Sequence, residues 1–199
     1  QYFVERGIPS LGIEPAANVA RVAVEKGIPT LIEFFGSEMA RRLAREGKRA
    51  DLLIGNNVLA QVPDLNDFVQ GMKILLKPRG VVTMEFPHLQ RLMAENQFDT
   101  IYHEHFSYLS FIAADAIFAA HGLTIFDVEE LPTDGGSLRL YACHSDDATK
   151  PVSERVIALR AREEEAGFRR IETYESFGEQ VKETKRKLLD FLIKAKRTG

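Results

Sequence analysis

Residues Tyr102-His103-Glu104-His105 bring a phenol, two imidazoles and a carboxylate together in one short stretch. An imidazole can accept a proton near neutral pH, its ordinary pKa being about 6.5. A neighbouring carboxylate can orient the ring, and a phenol can donate to an oxygen that gains charge. The set suits removal of a proton from a carbon next to a ketone, which leaves an enolate. Spacing adds a condition. In an extended chain His103 and His105 share one face, and Tyr102 and Glu104 share the other. Tyr102 and His105 converge only where the backbone turns, as residues i and i+3 do in a helical turn. A loop or short helix is therefore expected here, not a strand. Two plainer readings stand beside this one. Most histidines are structural, and His103-x-His105 is also the spacing of a metal pair, with His88 or a carboxylate as third ligand.

The elements that must position this cluster follow from periodicity. Short strands are expected at 10–14, 29–35, 51–54 and 80–86, and helices at 17–26, 37–46 and 64–76. Strands without alternation, separated by helices, indicate a parallel sheet covered on both faces. Ser37 is expected to cap its helix and Asp64 or Asn66 the next, with Gly27 and Gly47 as stops. Residues 88–105 are of mixed character, and a helix is expected over 110–121, with His121 at its end. Strands at 123–131 and 137–143, joined by Pro132-Thr133-Asp134-Gly135-Gly136, read as an antiparallel hairpin at a sheet edge. Residues 151–199 read as one or two long charged helices, about 152–166 and 169–196, with Val156, Leu159, Val181, Leu188, Leu189, Leu192 and Ile193 as their packing stripe. The class is α/β, a doubly wound, Rossmann-like sheet. The domain boundary falls at 147/148, with the helices beginning a C-terminal domain.

In such a sheet the ligand lies at the carboxyl ends of the strands. Glu14 ends the first strand, where a carboxylate can accept from two ribose hydroxyls; an exposed strand-end acid is the alternative, and the position suits either a methyl-donor nucleoside or a dinucleotide. Phe34 and Phe35 line an adenine pocket or pack in the core. Asn56 and Asn57 hold the cofactor's amino-acid part or form a turn. Ser137 and Arg139 hold a substrate pyrophosphate, or Arg139 points to solvent. The first strand and its glycine-rich turn have no counterpart. The sequence reads as opening one strand and most of one helix late, which predicts disruption around 10–14 and 51–54.

Composition sets outer limits. The chain has 199 residues, 45% hydrophobic and 28% charged, with a net charge of −3. No clustered basic face suggests nucleic acid. No apolar run approaches the roughly 20 residues of a membrane span. The single cysteine, Cys143, rules out a disulfide within the chain. A cytoplasmic location is expected, and nothing specifies an oligomeric state.

Four segments together carry a resemblance: Asn56-Asn57-Val58-Leu59-Ala60-Gln61-Val62-Pro63-Asp64, Glu85-Phe86-Pro87-His88, Phe98 through Tyr108, and Gly135-Gly136-Ser137-Leu138-Arg139. They resemble the sugar C-methyltransferases, which act on nucleotide-linked 4-keto-deoxysugars at C-3, as in the formation of branched sugars such as D-tetronitrose. That family joins an N-terminal zinc domain, a central S-adenosylmethionine-binding domain and a C-terminal domain. This chain resembles the central domain from its first helix onward, with the helical start of the last. The resemblance implies S-adenosylmethionine as cofactor, with Glu14, Phe35, Asn56 and Asn57 on its side, and no zinc in this chain. It implies His105 as the base at the sugar carbon, with Tyr102 and Glu104 as partners. Gln61, His88, His103, Ser137 and Arg139 fall on the substrate side. Gln61 stands where family members often carry histidine, so that position keeps at most a positional role; Asp134 is a second departure. Methylation of oxygen or nitrogen in another small molecule is the nearest alternative. A non-catalytic methyltransferase-like module, binding a partner through its charged helices, is the other.

Overall fold

The computed structural model describes residues 1–198. Its helices are α1 (Tyr2–Glu5), α2 (Ala17–Glu25), α3 (Ser37–Arg45), α4 (Leu65–Leu75), α5 (Leu89–Ala94), α6 (Phe111–Ala120), α7 (Glu154–Glu165) and α8 (Ile171–Thr198). Its strands are β1 (Gly12–Ile13), β2 (Thr30–Leu31), β3 (Ala50–Asn56), β4 (Leu76–Pro87), β5 (Leu123–Leu131) and β6 (Ser137–His144). Short 3-10 turns cover Leu59–Gln61, Phe98–Thr100 and Thr133–Gly135.

The strands form two sheets. β1 and β2 pair in parallel, and the larger sheet runs β3-β4-β6-β5. β3 and β4 are parallel, while β6 is antiparallel to both β4 and β5. The late hairpin therefore closes the sheet as expected, with β6 inserted next to β4. In a doubly wound sheet of order 3-2-1-4-5, strand 1 separates strands 2 and 4. Here the ladder is interrupted at that place, between β1 and β3. The effects are local. β1 and β2 shrink to two residues each, and on β3 Leu52 and Ile54 are 43% and 49% exposed.

The main core lies under one face of the larger sheet. Val82, Met84, Phe86, Leu138, Leu140 and Ile125 meet Val69 and Met72 of α4, and Phe111, Ala114 and Phe118 of α6. Val156 and Leu159 of α7 join the same cluster, so packing is continuous across residue 147. A smaller cluster, Met39, Ala40, Leu43 and Leu75, packs Ile13, Leu31 and Leu53 and so links the two sheets.

Local rules set most boundaries. Asp64 caps α4, accepting from the Asp67 amide at 2.9 Å, and Ser110 caps α6 through the Ala113 amide. The cap of α3 differs from expectation. Gly36 is its N-cap residue, and the Ser37 amide is met by the carboxylate of Asp67, 30 residues away. This side chain reaches α3 because Gly71 lets α4 approach: a Cβ at Gly71 would sit 2.9 Å from the Gly36 carbonyl carbon. The last helix also departs from the expected stripe. α8 leans on the body through half-buried Tyr174, Phe177, Val181 and Thr184, with Asn96 donating to Thr184 Oγ1 and Gln180 to the Met93 carbonyl. Beyond that point Leu188, Leu189, Leu192 and Ile193 are exposed. Among the described residues no helix is long and apolar enough to cross a membrane.

α7 is tied to the sheet edge by Asp127, which accepts from Ser153 Oγ, the Val128 amide and the Arg155 guanidinium. The Arg155 hydrogen bond, ahead of the Ser153 and Val128 bonds, holds the Asp127 carboxyl below its ordinary 3.8. A lowered folded-state pKa adds stability above the unfolded value, and that stability fades as pH falls through the folded one. Asp127→Asn is expected to be less stable than the parent in urea at pH 7, with the gap closing as pH drops below 3.8. A gap that persists unchanged at pH 2 would rule out the charge as its origin.

Candidate active site

Residues 101–108 form a turn-rich loop rather than a strand. The His105 amide donates to the Tyr102 carbonyl at 3.2 Å, closing an i,i+3 turn. This turn supplies the convergence that the spacing required. The Tyr102 and His105 rings lie 4.8 Å apart at 36°, and Tyr108 meets His105 edge-on at 5.6 Å. The Tyr108 hydroxyl accepts from the Tyr102 amide at 3.0 Å and donates to the Tyr102 carbonyl at 3.1 Å. His105 Nε2 is buried without a hydrogen-bond partner. Buried polar atoms are nearly always paired, so such a nitrogen calls for an explanation. Tyr102 is 43% exposed, and His103 and Glu104 also face outward.

The loop is pinned to the carboxyl end of β3. The Phe106 and Ser107 amides both donate to the carbonyl of buried Ala60, at 2.8 and 3.2 Å. Ala60 sits in the 3-10 turn with Gln61, so the Asn56–Pro63 segment and the His105 loop lie together. Asn57 takes the left-handed conformation, φ 51°, which asparagine tolerates better than most residues. Its amide donates to the Glu85 carbonyl at 2.8 Å, and its Oδ1 is buried and unpartnered. Asn56 is exposed at the strand end.

Several expected positions are placed differently. His88 is 1% exposed and bonds the carboxylate of Glu163 at 2.6 Å, so it lies out of a substrate's reach. Ser137 is 2% exposed, and its hydroxyl donates to the Thr133 carbonyl. Arg139 turns neither to solvent nor toward an open anion site. It donates to Glu85 at 2.7 Å and lies 3.7 Å from Glu129, and the Glu85 bond raises its pKa further. Phe35 packs edge-on against Phe68 at 5.2 Å, as a core residue does. Glu14 accepts from the Ala16 amide at 2.8 Å, at the start of α2. His121 lies between Gln70 and Asn66, and burial raises the Cys143 thiol. Glu85 had no assigned part in the sequence. It is 8% exposed and joins Arg139 to Thr133 Oγ1. Its place at the end of a central strand, opposite Arg139, was the available signal. Among the described residues no three His, Cys, Asp or Glu side chains are grouped to hold a metal ion.

Residues 132–199 match the model of the C-methyltransferase C-terminal domain. Across 177 residues, 89% of its length, the chain is 34% identical to C-methyltransferase NovU of Streptomyces niveus. It spans 42% of that relative. Solved structures agree on the fold. The PH0226 protein of Pyrococcus horikoshii superposes with a TM-score of 0.57 at 15% identity, covering 72% of this chain and 74% of the other. A magnesium protoporphyrin IX methyltransferase of Synechocystis, solved with bound SAH, gives 0.54 at 14% identity, covering 71% and 66%. A SAM-dependent methyltransferase of Thermotoga maritima gives 0.54 at 15% identity, covering 73% and 76%. The fold is the Rossmann-like one of the methyltransferases.

The Tyr108 hydroxyl holds both backbone groups of Tyr102, so Tyr108→Phe is expected to loosen the turn. One hydrogen bond is worth about 0.5–1.5 kcal/mol, which corresponds to roughly 2- to 10-fold faster hydrogen exchange at the Tyr102 amide. Unchanged exchange there would show that the turn holds without the hydroxyl.

Proposed function

We propose that this chain supplies the substrate side of an S-adenosylmethionine-dependent C-methyltransferase. The substrate in this reading is a nucleotide-linked keto-deoxysugar, methylated at the carbon beside its ketone. One observation carries the proposal: a buried, unpartnered imidazole nitrogen of His105 lies beside the half-exposed phenol of Tyr102, on a turn that makes the two adjacent. The C-methyltransferase relative supports carbon as the acceptor, and the SAH-bound neighbour supports the cofactor class.

Residues at the strand ends fit a nucleoside cofactor. Glu14, just after β1, has one carboxylate oxygen on the Ala16 amide. Asn57, just after β3, has an unpartnered buried Oδ1, an acceptor suited to an ammonium group. Glu14, Asn56 and Asn57 would hold the cofactor, and an adjoining parallel strand would complete the ladder between β1 and β3. When bound, the cofactor supplies an electrophilic methyl group.

The chain's own residues do the rest. His105 takes the proton from the sugar carbon, leaving the electron pair on an enolate. Tyr102 donates a hydrogen bond to the enolate oxygen; removing one such donor costs about 10²–10³ in rate. Glu104, on the same turn, biases the orientation of an imidazole. Gln61 can donate and accept but carries no proton near neutral pH, so it positions the sugar and leaves acid–base work to His105.

His105→Asn in the full-length protein is expected to lower methyl transfer by about 10²–10⁴, with S-adenosylhomocysteine affinity by calorimetry within about threefold. The same variant should stop wash-in of solvent deuterium at the sugar carbon. Turnover that survives His105→Asn would exclude carbon chemistry at this residue and favour methylation of oxygen or nitrogen.

A further inference from the structure

The first turn of α6 closes on a carboxylate from a helix some 50 residues later. Glu163 is fully buried. Its Oε1 accepts from the Phe111 amide at 2.8 Å and from His88 Nε2 at 2.6 Å, and its Oε2 accepts from the Ile112 amide at 2.8 Å. A carboxylate only accepts, so the nitrogen of His88 that faces it carries the hydrogen. A negative charge at a helix N-terminus is favoured both by the unpaired amides and by the helix dipole.

His88 is a junction in its own right. Its amide donates to the Gly136 carbonyl at 3.0 Å, fixing the turn that precedes Ser137 and Arg139. It bridges to Leu109, and the Leu89 amide donates to the Leu109 carbonyl at 3.1 Å. Leu109 and Ser110 are the residues through which the Tyr102–Tyr108 loop enters α6. The loop is thus held at two places: Ala60 grips Phe106 and Ser107, and the His88–Glu163 pair grips the segment just after Tyr108. Neighbouring charges do not replace the pair. Glu130 of β5 is bound by Arg162, and Tyr174 of α8 donates to the Phe168 carbonyl.

We propose that the buried His88–Glu163 pair is a positioning element of the active site: it sets the register of the 101–109 loop, and so the placement of Tyr102 and His105, and thereby makes α7 part of the catalytic scaffold. The catalytic half of this statement rests on the proposed role of His105; the loop-setting half does not.

The test compares Glu163→Gln, His88→Leu and His88→Gln in the full-length protein, by amide hydrogen exchange and by kinetics. Gln at 88 keeps a donor near the position of Nε2. With Glu163→Gln or His88→Leu, exchange at Phe106, Ser107 and Leu109 is expected to rise at least about tenfold, while β5 and β6 keep their protection. A misplacement of about 1 Å can cost 10²-fold, so kcat is expected to fall by up to about 10² with KM changed less than about threefold. His88→Gln is expected to restore most of both. If His88→Leu does not fold, Glu163→Gln and His88→Gln carry the comparison. Unchanged exchange in 102–109 overturns the proposal. So does equal loosening of β5 and β6, or a His88→Gln protein that behaves like His88→Leu, since either marks a general loss of stability. If His105→Asn is fully active, the catalytic role of the loop fails, and the exchange data still decide whether the pair sets it.

Discussion

A carboxylate removed from water must find its hydrogen bonds inside the protein, and Glu163 finds three. Two come from the opening amides of α6 and one from His88. Breaking a buried charged pair by deleting one partner costs about 3–5 kcal/mol, because the remaining group stays buried without compensation. Glu163 therefore fixes α7, the start of α6 and the residue after β4 as a single unit. The chain between Tyr102 and Ser110 runs from that unit to Ala60. Both ends are held by these bonds, and the tilted Tyr102–His105 ring pair lies between them.

How much of this could be read from the sequence depended on whether each cause was local. The turn at Tyr102–His105 was legible because two side chains three apart cannot share a face in an extended chain. Asp64, Ser110, Gly27 and Gly47 set helix ends where cap chemistry puts them. Ser37 misled because the true cap of α3 is Asp67, a contact that needs the close approach at Gly71. Glu163 was hidden more thoroughly. It lies in Arg162-Glu163-Glu164-Glu165, which reads as a solvated helix face, and only the packing of α7 on α6 singles out its first acid. His88 and Arg139 share the same difficulty: their types suggest ligand contact, and their partners come from distant elements. At the other extreme, Leu188, Leu189, Leu192 and Ile193 keep helical spacing yet remain exposed. Periodicity identifies a face without naming its neighbour.

No ladder joins β1 to β3, so the ends of the two sheets are placed by different contacts. β1 and β2 form one sheet, and β3, β4, β6 and β5 form another. β3 keeps its seven residues because β4 pairs along it, whereas β1 and β2 have only each other. The bridge between the two sheets is made by side chains, through Met39, Leu43, Leu75 and Leu53. Hydrophobic contact is non-directional and can hold two sheets near one another without a ladder, but it cannot set strand register as backbone hydrogen bonds do. Positions at the end of β1, Glu14 among them, are accordingly less constrained than those at the ends of β3 and β4.

That difference orders the site. Near the carboxyl ends of β3 and β4, the Asn57 amide bonds the Glu85 carbonyl, the Ala60 carbonyl holds Phe106 and Ser107, and His88 bonds Gly136 and Glu163. The residues that tie it down, Gly136, Arg139 and Glu163, lie within 132–199, the segment matched to the C-methyltransferase C-terminal domain. That segment contributes none of the Tyr102–His105 cluster. Its share of the site is geometric: it supplies the carboxylate that pins the loop, the guanidinium that locks Glu85, and the carbonyl that takes the His88 amide. Proximity effects in catalysis depend on tolerances well under an ångström. With His105 as the proposed base, a segment without a reactive group would shape the reaction through contacts that are buried and directional, as those of Glu163 are.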